Sequence, residues 1–404
     1  MSKGGYSKKG ISFFILMITG LLLIGVAAGD TNKQYASSQQ CQGCHREIYN
    51  EWKESMHANA LTDPIFQGAL SQQADKTVCI SCHAPTTRLT GDFNLTSDIS
   101  NEAITCDFCH TISGLNASNP IQPFILSPGD TKYGKYSDTV SMTHKTQKTD
   151  LLAKSEFCGA CHDLAMPNGL VVLATYKEWK NSDYAEKGIE CQSCHMPTVK
   201  RSIAIGGAQR NDSGAHTWKG GHSVEMLQAA GKFNLDTKTE GSKVHITAVI
   251  TNDGAGHKLP TGGDSMLILE IAAMDRDGKK LFEETKKFVQ VFGDANGSPV
   301  PVPDFATQVL SDTRIPPKGI STNEFEFDAV GTEGEIKISG KLLYRHVAEE
   351  VAPLPATKVN ELSKTVTLSA GNARDTGTKS TPGFEAILAL TGVVTLYIIM
   401  RKKN

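Results

Sequence analysis

The sequence contains ten cysteines, and all of them belong to five copies of one short pattern. In each copy two cysteines are separated by two residues, and a histidine follows the second cysteine directly. The thiols belong to Cys41 and Cys44, Cys79 and Cys82, Cys106 and Cys109, Cys158 and Cys161, and Cys191 and Cys194. The histidines are His45, His83, His110, His162 and His195. Any fold of this chain must accommodate five such units, and no cysteine is left over for a disulfide.

Thiols at this spacing can form thioethers with the two vinyl groups of one haem, and the adjoining imidazole is then directed at its iron. A zinc site fits less well, because it needs four ligands and usually takes two such pairs, and five pairs cannot be shared out evenly. Histidine makes up only 12 of 404 residues, so its presence after every pair is not a chance result. The pattern predicts five covalently bound haem c groups, each with a proximal histidine on its iron.

The five motifs and the histidine-containing loop after them occupy residues 41–222, which is roughly 36 residues for each haem. That is too little chain to build an ordinary apolar core. We therefore predict that residues 35–232 form a pentahaem domain of short helices and loops, packed around the haems themselves.

Seven further histidines are available as sixth, distal ligands. His57 lies on a predicted helix over residues 46–60, and it is too far along that helix from His45 to share one iron. His144 lies in a polar stretch, His216 and His222 share a glycine-rich loop, and His257 lies in a predicted turn; a solvated surface histidine is the alternative for His57 and His144. We predict distal ligation by His57, His144, His216, His222 and His257.

The remaining histidines and two methionines are less suited to that role. His245 falls on the polar face of a predicted strand, and His346 is far from the motifs and is predicted to be structural. Met56 and Met142 could offer axial sulfurs, but each has a histidine within two residues. Bis-histidine ligation is therefore the preferred interpretation, and it lowers reduction potentials relative to His/Met ligation.

Beyond about residue 232 the pattern changes to alternating apolar and polar residues, which is typical of strands. We predict seven short strands, over residues 244–251, 265–274, 287–292, 324–330, 335–339, 341–347 and 364–369. They favour an all-β sandwich over residues 233–370. The fold class is thus α+β and multidomain, with the second domain capping the haems through His257.

Both ends of the chain carry export or membrane signals. Residues 1–28 resemble a signal peptide in their basic start, apolar run and small residues, with an uncleaved anchor as the alternative. Residues 371–383 predict a polar tether, and residues 384–404 combine an apolar run with a basic end, which is typical of a transmembrane or sorting segment. We expect an exported protein held at the outer face of the cytoplasmic membrane.

The first motif, followed by Tyr49, Trp52, Ser55 and His57, resembles the start of the cytochrome c-554 family of multihaem cytochromes. The resemblance implies that His57 is a distal ligand to another haem. The loop with His216 and His222 and residues 256–262 look like segments of multihaem cytochromes with an appended β-domain. The best-known family member has four haems, so its ligand pairing does not transfer wholesale.

The end of the chain has a second resemblance. Pro382-Gly383-Phe384, the apolar run and the basic end resemble the PGF-type sorting signal of archaeal surface proteins. The resemblance implies that a lipid anchor replaces the tail, and that the source is an anaerobic archaeon.

These features favour a carrier of electrons between a membrane quinone-like carrier and an extracellular metal acceptor or partner cytochrome. The alternatives are an enzyme acting on a small nitrogen or sulfur compound at a five-coordinate haem, and a subunit of an extracellular haem wire. All five motifs end in histidine, and none is the lysine-containing variant of the haem motif found in the nitrite-reducing class of multihaem enzymes. An enzyme is therefore the less favoured interpretation. The 41 basic and 43 acidic residues exclude the basic excess of a nucleic-acid-binding protein.

Overall fold

The computed structural model describes residues 35–369, apart from residues 74, 117–121, 167, 302 and 304–305. The predicted signal peptide (1–28), tether (371–383) and C-terminal segment (384–404) lie outside the described residues. In the part of the chain that is described, no helix is long and apolar enough to cross a membrane.

The motif-bearing region consists of short helices, as the small number of residues for each haem predicts, and of two-stranded ribbons, which were not predicted. The helices are α1 (Ser38–Gln42), α2 (Arg46–Lys53), α3 (Pro64–Ser71), α4 (Thr77–His83), α5 (Thr87–Thr90), α6 (Asp98–Asn101), α7 (Cys106–His110), α8 (Ser155–Gly159), α9 (Thr175–Lys180), α10 (Asp183–Glu186), α11 (Cys191–His195) and α12 (Val224–Ala230). The ribbons pair β1 (Ile112–Leu115) with β2 (Phe124–Leu126), β3 (Thr131–Gly134) with β4 (Lys145–Lys148), β5 (Leu164–Ala165) with β6 (Val171–Leu173), and β7 (Thr198–Ser202) with β8 (Gln209–Gly214).

Each motif lies on or beside a single helical turn. The first and fourth show it in their backbone bonds, since the His45 N–H donates to the Cys41 carbonyl at 2.8 Å and the His162 N–H to the Cys158 carbonyl at 2.9 Å. Residues three and four apart on a helix share one face. Each turn therefore presents both thiols and the imidazole to the same side.

The predicted helix over residues 46–60 is wrong in its second half, because α2 ends at Lys53. The Ser55 hydroxyl donates to the Trp52 carbonyl at 2.6 Å, and the Asn59 amide donates to the Ser55 carbonyl at 2.8 Å. Such side-chain bonds to nearby backbone compete with helix propagation. The chain consequently turns between residues 54 and 62, and His57 lies on this turn.

Ten strands form the second part of the chain: β9 (Gly231–Glu240), β10 (Lys243–Asn252), β11 (Met266–Asp275), β12 (Lys280–Phe288), β13 (Gln290–Gly293), β14 (Pro299–Val300), β15 (Gln308–Asp312), β16 (Ile320–Asp328), β17 (Gly334–Arg345) and β18 (Thr357–Leu368). One sheet has the order β16-β10-β9 and another β12-β11-β17-β18, with β14-β13-β15 as a small third sheet. Apolar side chains of the two larger sheets form one buried cluster. The architecture is therefore α+β, with a sandwich of two sheets.

Three strand predictions need correction. Residues 335–339 and 341–345 belong to one strand, β17, because Gly340 does not interrupt it, and residues 346–347 lie beyond its end at Arg345. A Cβ at Gly340 would lie 2.8 Å from the ring of Phe233 on the opposite sheet, so glycine is needed there for sheet packing. Residues 287–292 contain the end of β12 and most of β13, and the strands β9, β14 and β15 were not predicted.

Candidate haem-binding sites

Four of the five proximal histidines face a second histidine across a gap of constant width. His45 faces His144 with ring centres 6.4 Å apart, and His57 faces His162 at 6.3 Å. The other two pairs are His110 with His216 and His195 with His257, both at 6.3 Å. Each pair joins a motif histidine to one that is predicted from the sequence as a distal ligand.

This spacing matches two imidazoles bound to opposite sides of one metal ion. A ligating imidazole nitrogen lies about 2 Å from its metal, and the ring centre is roughly 1 Å further away, so two opposed rings are separated by roughly 6 Å. The fit is independent of the motif spacing in the sequence, because the histidines of each pair come from separate segments. These four sites have the geometry of bis-histidine haem centres.

The second ring nitrogen of most motif histidines is fixed by a backbone carbonyl. The Nδ1 atom of His45 lies 2.6 Å from the Ile203 oxygen, and that of His195 lies 2.6 Å from the Lys219 oxygen. His83 and His110 have the same kind of partner, at 2.8 Å from Ala60 and 2.7 Å from Tyr133 respectively. Hydrogen bonding at Nδ1 fixes the tautomer and leaves Nε2 free to bind iron.

Three of the facing histidines are oriented in the same way by their own loops. Nδ1 of His144 lies 3.0 Å from the Lys145 oxygen, and Nδ1 of His257 lies 2.9 Å from the Lys258 oxygen. Nδ1 of His216 lies 2.9 Å from the Gly214 oxygen. Each of these rings therefore also presents Nε2 to the gap.

Burial favours the neutral form of five of the eight paired imidazoles, and metal ligation requires that form. It lowers the pKa of His57 to about 3, and the pKa of His216 and of His257 to about 4. Burial also lowers the pKa of His110 and of His162. These five rings are thus unprotonated nitrogen donors.

The second motif is different. The His83 ring is stacked face to face with Phe66, with ring centres 3.6 Å apart, and no facing imidazole is found for it among the described residues. Burial lowers the pKa of His83, so its nitrogen is a competent ligand. This motif supplies two thiols and a proximal imidazole, but the described residues give it no opposed imidazole pair.

The three histidines that remain lie outside these pairs. His222 stacks on His346 with ring centres 3.8 Å apart, too close to hold a metal ion between the two faces. Burial lowers the pKa of His346 to about 4. His245 lies on the outer face of the sandwich, 3.2 Å from Glu326. Distal ligation by His222 therefore stays a prediction, and the stack with His346 could not be read from the sequence because the two residues are 124 positions apart.

Thiols of different motifs are neighbours, which gives the spatial order of the five sites. Cys41 of the first motif interacts with Cys106 of the third, and Cys109 of the third is an electrostatic neighbour of Cys158 and Cys161 of the fourth. The fourth motif also contacts the second, through Cys161 and Cys82, and the fifth, through Cys158 and Cys191. The sites thus run first, third, fourth, with the second and fifth both beside the fourth.

Two cysteines are exposed, Cys44 in the first motif and Cys194 in the fifth, and the other eight are partly buried. The first and fifth sites therefore lie at the surface, at opposite ends of the spatial order. The third and fourth sites lie between them.

The thiol pairs, the opposed imidazoles and the small apolar cores define a multihaem c-type cytochrome, with covalently bound haem c as its cofactor. Residues 40–111 match the family model described as "Cytochrome c554 and c-prime". No curated protein matches the sequence.

One solved structure of the same class is similar over most of the chain. The chain is similar to a penta-heme cytochrome c552 from Thermochromatium tepidum, with 25% identity and a TM-score of 0.69 over 82% of this chain and 99% of that chain. Two further likenesses cover 35% of this chain. One is to a putative beta-galactosidase from Bacteroides fragilis, with 13% identity, a TM-score of 0.19 and 16% of that chain covered. The other is to the C-terminal domain of wzt, with 7% identity, a TM-score of 0.22 and 75% of that chain covered.

Proposed function

We propose that this protein is a pentahaem electron carrier at the outer cell surface, which passes electrons between a membrane quinone-like carrier and an extracellular metal or partner cytochrome. The observation that carries the proposal is the set of four imidazole pairs at 6.3–6.4 Å. Bound haem iron supplies one-electron redox chemistry. Each imidazole pair would hold a bound haem iron from two sides and leave no open position on it, which favours electron transfer over substrate binding.

The spatial order of the sites supports the same function. Neighbouring thiols connect the first, third, fourth and fifth motifs in one series. The series begins and ends at exposed cysteines, Cys44 and Cys194. Such an arrangement offers one surface site for a donor and a separate one for an acceptor.

The net negative charge of the chain supports docking of redox partners at its surface. Without residues 1–28 and 384–404 the chain has 35 basic and 42 acidic residues, a net charge of −7. The propionates of bound haem add further negative charge. An acidic surface favours encounter with basic partner proteins or with metal cations. Export and anchoring rest on the terminal segments of the sequence.

The test is low-temperature electron paramagnetic resonance of the oxidised holoprotein, with nitrite added, followed by carbon monoxide added to the reduced protein. We expect the four paired sites to be low-spin and to ignore both ligands. High-spin signals or ligand binding at two or more haems would contradict the carrier proposal. Reduction by a quinol analogue and oxidation by ferric citrate, followed in the visible spectrum, test the two partner classes.

A second candidate function is reduction or oxidation of a small nitrogen or sulfur compound at the second motif. The specific observation is that His83 has a phenyl ring against its face and no opposed imidazole in the described part of the chain. Catalytic metal sites keep one position open for substrate. Steady turnover of nitrite or hydroxylamine by the purified holoprotein would favour this function, and binding without turnover would favour the carrier.

A further inference from the structure

The loop that carries His257 comes from the sandwich but packs against helices of the motif-bearing region. A Cβ at Gly256 would lie 3.2 Å from the Trp179 ring and 3.1 Å from the Tyr184 ring, so this glycine permits a close approach of backbone to ring. The Tyr184 hydroxyl also donates to the Asp253 carbonyl at 2.8 Å. The position of His257 opposite His195 therefore depends on how the sandwich docks.

One buried carboxylate, that of Glu178 on α9, holds this loop from the motif-bearing side. Its Oε2 accepts hydrogen bonds from the Lys258 backbone N–H at 3.1 Å and from the Thr261 hydroxyl at 2.9 Å. Its Oε1 lies 3.0 Å from Arg314 Nη1, an ion pair outside hydrogen-bond geometry. The Glu178 and Arg314 side chains are only 8% and 3% exposed.

Arg314 is itself fixed from the sandwich side. Its Nε and Nη2 donate to the Asp312 carboxylate at 2.9 and 2.7 Å, and its Nη1 donates to the Gly262 carbonyl at 3.3 Å. Asn252, which is fully buried, completes the support by donating to the His257 carbonyl at 2.8 Å. The backbone at His257 and Lys258 is thus hydrogen-bonded to residues of both domains, to Asn252 in the sandwich and to Glu178 in the motif-bearing region.

The same arrangement occurs independently at a second facing histidine. The Glu51 carboxylate accepts the His216 backbone N–H at 2.8 Å and forms two hydrogen bonds with Arg201, at 2.7 and 2.8 Å. The Arg201 side chain is 5% exposed and also donates to the Gly214 carbonyl at 2.8 Å. In both places a carboxylate paired with a buried guanidinium binds a backbone N–H at, or next to, the histidine.

A buried ion pair of this kind is a poor source of stability, because desolvation offsets the attraction between the charges. The ion pair instead fixes the position of the loop that it binds, because its geometry is lost if either partner moves. The orientation of an axial histidine and the hydrogen bonds around it tune the properties of the bound metal. A device that fixes the loop therefore acts on the site that the loop completes.

We propose that Glu178 and Arg314 are positioning residues for His257, so that docking of the sandwich sets the axial coordination and reduction potential of the haem held by His195. The proposal rests on the part of the proposed function that assigns His195 and His257 to one haem. It does not depend on the direction of electron flow, the partners or the location in the cell.

The experiment compares full-length holoprotein variants by electron paramagnetic resonance and by potentiometric titration of the visible spectrum. His257→Met marks the component that belongs to the fifth motif. We expect Glu178→Gln to shift the midpoint potential and the low-spin signal of that same component, and to leave the other components unchanged. Glu51→Gln is expected to shift a different component, the one marked by His216→Met.

Glu186→Gln is the matched control, because Glu186 is an exposed glutamate on the neighbouring helix α10. It should reproduce the wild-type signals. If Glu178→Gln does not assemble, Glu178→Asp keeps the charge but withdraws it by one methylene, and it should shift the same component by a smaller amount.

Two results would overturn the proposal. One is a Glu178→Gln or Glu178→Asp variant that unfolds at a lower temperature while every potential and low-spin signal stays as in the wild type. The other is a shift of all components, or of one that His257→Met does not mark. Failure of the protein to exchange electrons with quinol analogues or ferric citrate would refute the proposed function and leave this result intact.

Discussion

Phe66 lies flat against the imidazole of His83, with ring centres 3.6 Å apart and planes 7° from parallel. Phe66 lies in the first turn of α3. The Asp63 carboxylate caps the N-terminus of this helix by accepting hydrogen bonds from the Ile65 and Phe66 N–H groups. The position of the Phe66 ring against the proximal histidine of the second motif therefore depends on helix α3 and on its Asp63 cap. The other four motif histidines have an imidazole as their nearest facing ring.

We predict that Phe66→Leu will alter only the haem signal of the second motif and lower the free energy of unfolding by about 1 kcal/mol beyond the loss of apolar area, because a stacked ring pair contributes roughly that much. Phe93→Leu is the matched control, since Phe93 packs partly buried against the same apolar cluster. Electron paramagnetic resonance and urea unfolding measure the two effects. Equal spectral changes in both variants would show that the stack has no special role.

The second prediction concerns Gly159, which lies inside the fourth motif. A Cβ at Gly159 would lie 2.5 Å from the Tyr176 ring, and the backbone of Tyr176 donates to the His162 carbonyl at 3.1 Å. Gly159→Ala must therefore push the ring that borders this motif. We expect a loss of about 1–3 kcal/mol, the usual cost of overpacking, with incomplete haem attachment at this site.

The control for that substitution lies in the first motif. A Cβ at Gly43 would have its nearest neighbour at 3.5 Å, an ordinary contact, so Gly43→Ala should match the wild type in stability. The haem-to-protein ratio and the thermal unfolding midpoint are the measurements. Equal losses in the two variants would mean that any side chain within a motif impairs attachment, and that Tyr176 is irrelevant.

The motifs, their cofactor and the alternating strands could be predicted from the sequence because each depends on residues within a few positions of one another. The opposed pairs could not. His57 and His162 come together although they are 105 positions apart, and nothing local in the sequence states which histidine faces which. Their pairing is a property of the tertiary fold.

Gly340 shows why one local signal misled. In a strand pattern an isolated glycine suggests a break or a bulge. Here Phe233 from the opposite sheet fills the space above it, so the glycine serves packing between layers while β17 continues from Gly334 to Arg345. The missed strand β9 did carry a signal, since Phe233 and Leu235 alternate with polar residues and are both buried.

The two parts of the chain should respond differently to removal of haem. The largest cluster has 23 buried apolar residues, all but Leu227 from the sandwich, whereas the motif-bearing region has separate clusters of six and five in its first half. Only the former is large enough to sustain a fold without cofactor. We predict that chain produced without haem attachment keeps a folded sandwich and loses the structure of residues 35–230.

Limited proteolysis with mass spectrometry measures this difference, with holoprotein as the control. The haem-free chain should yield a resistant fragment that begins near Gly231, the first residue of β9. The holoprotein should resist cleavage over both parts. A motif-bearing region that resists the protease equally well without haem would contradict the prediction, and would show that the polypeptide alone maintains the imidazole gaps.

Acid should weaken the support of the His257 loop through Asp312. Burial alone would raise the pKa of this carboxyl, but hydrogen bonds from Arg314 and Lys258 lower it to about 2. A carboxylate with a depressed pKa stabilises the fold fully above its unfolded pKa of about 4, and that contribution is lost as the pH falls towards the folded pKa. Asp312→Asn should therefore be less stable than the wild type at about pH 6, and this difference in the free energy of unfolding should vanish between about pH 4 and about pH 2.

Urea unfolding followed by far-ultraviolet circular dichroism measures the gap in stability between the variant and the wild type. The control is Asp277→Asn, at a side chain that is 81% exposed. A gap that is constant over this range would mean that Asp312 contributes by its shape, and that its charge is not what holds Arg314 beside the loop.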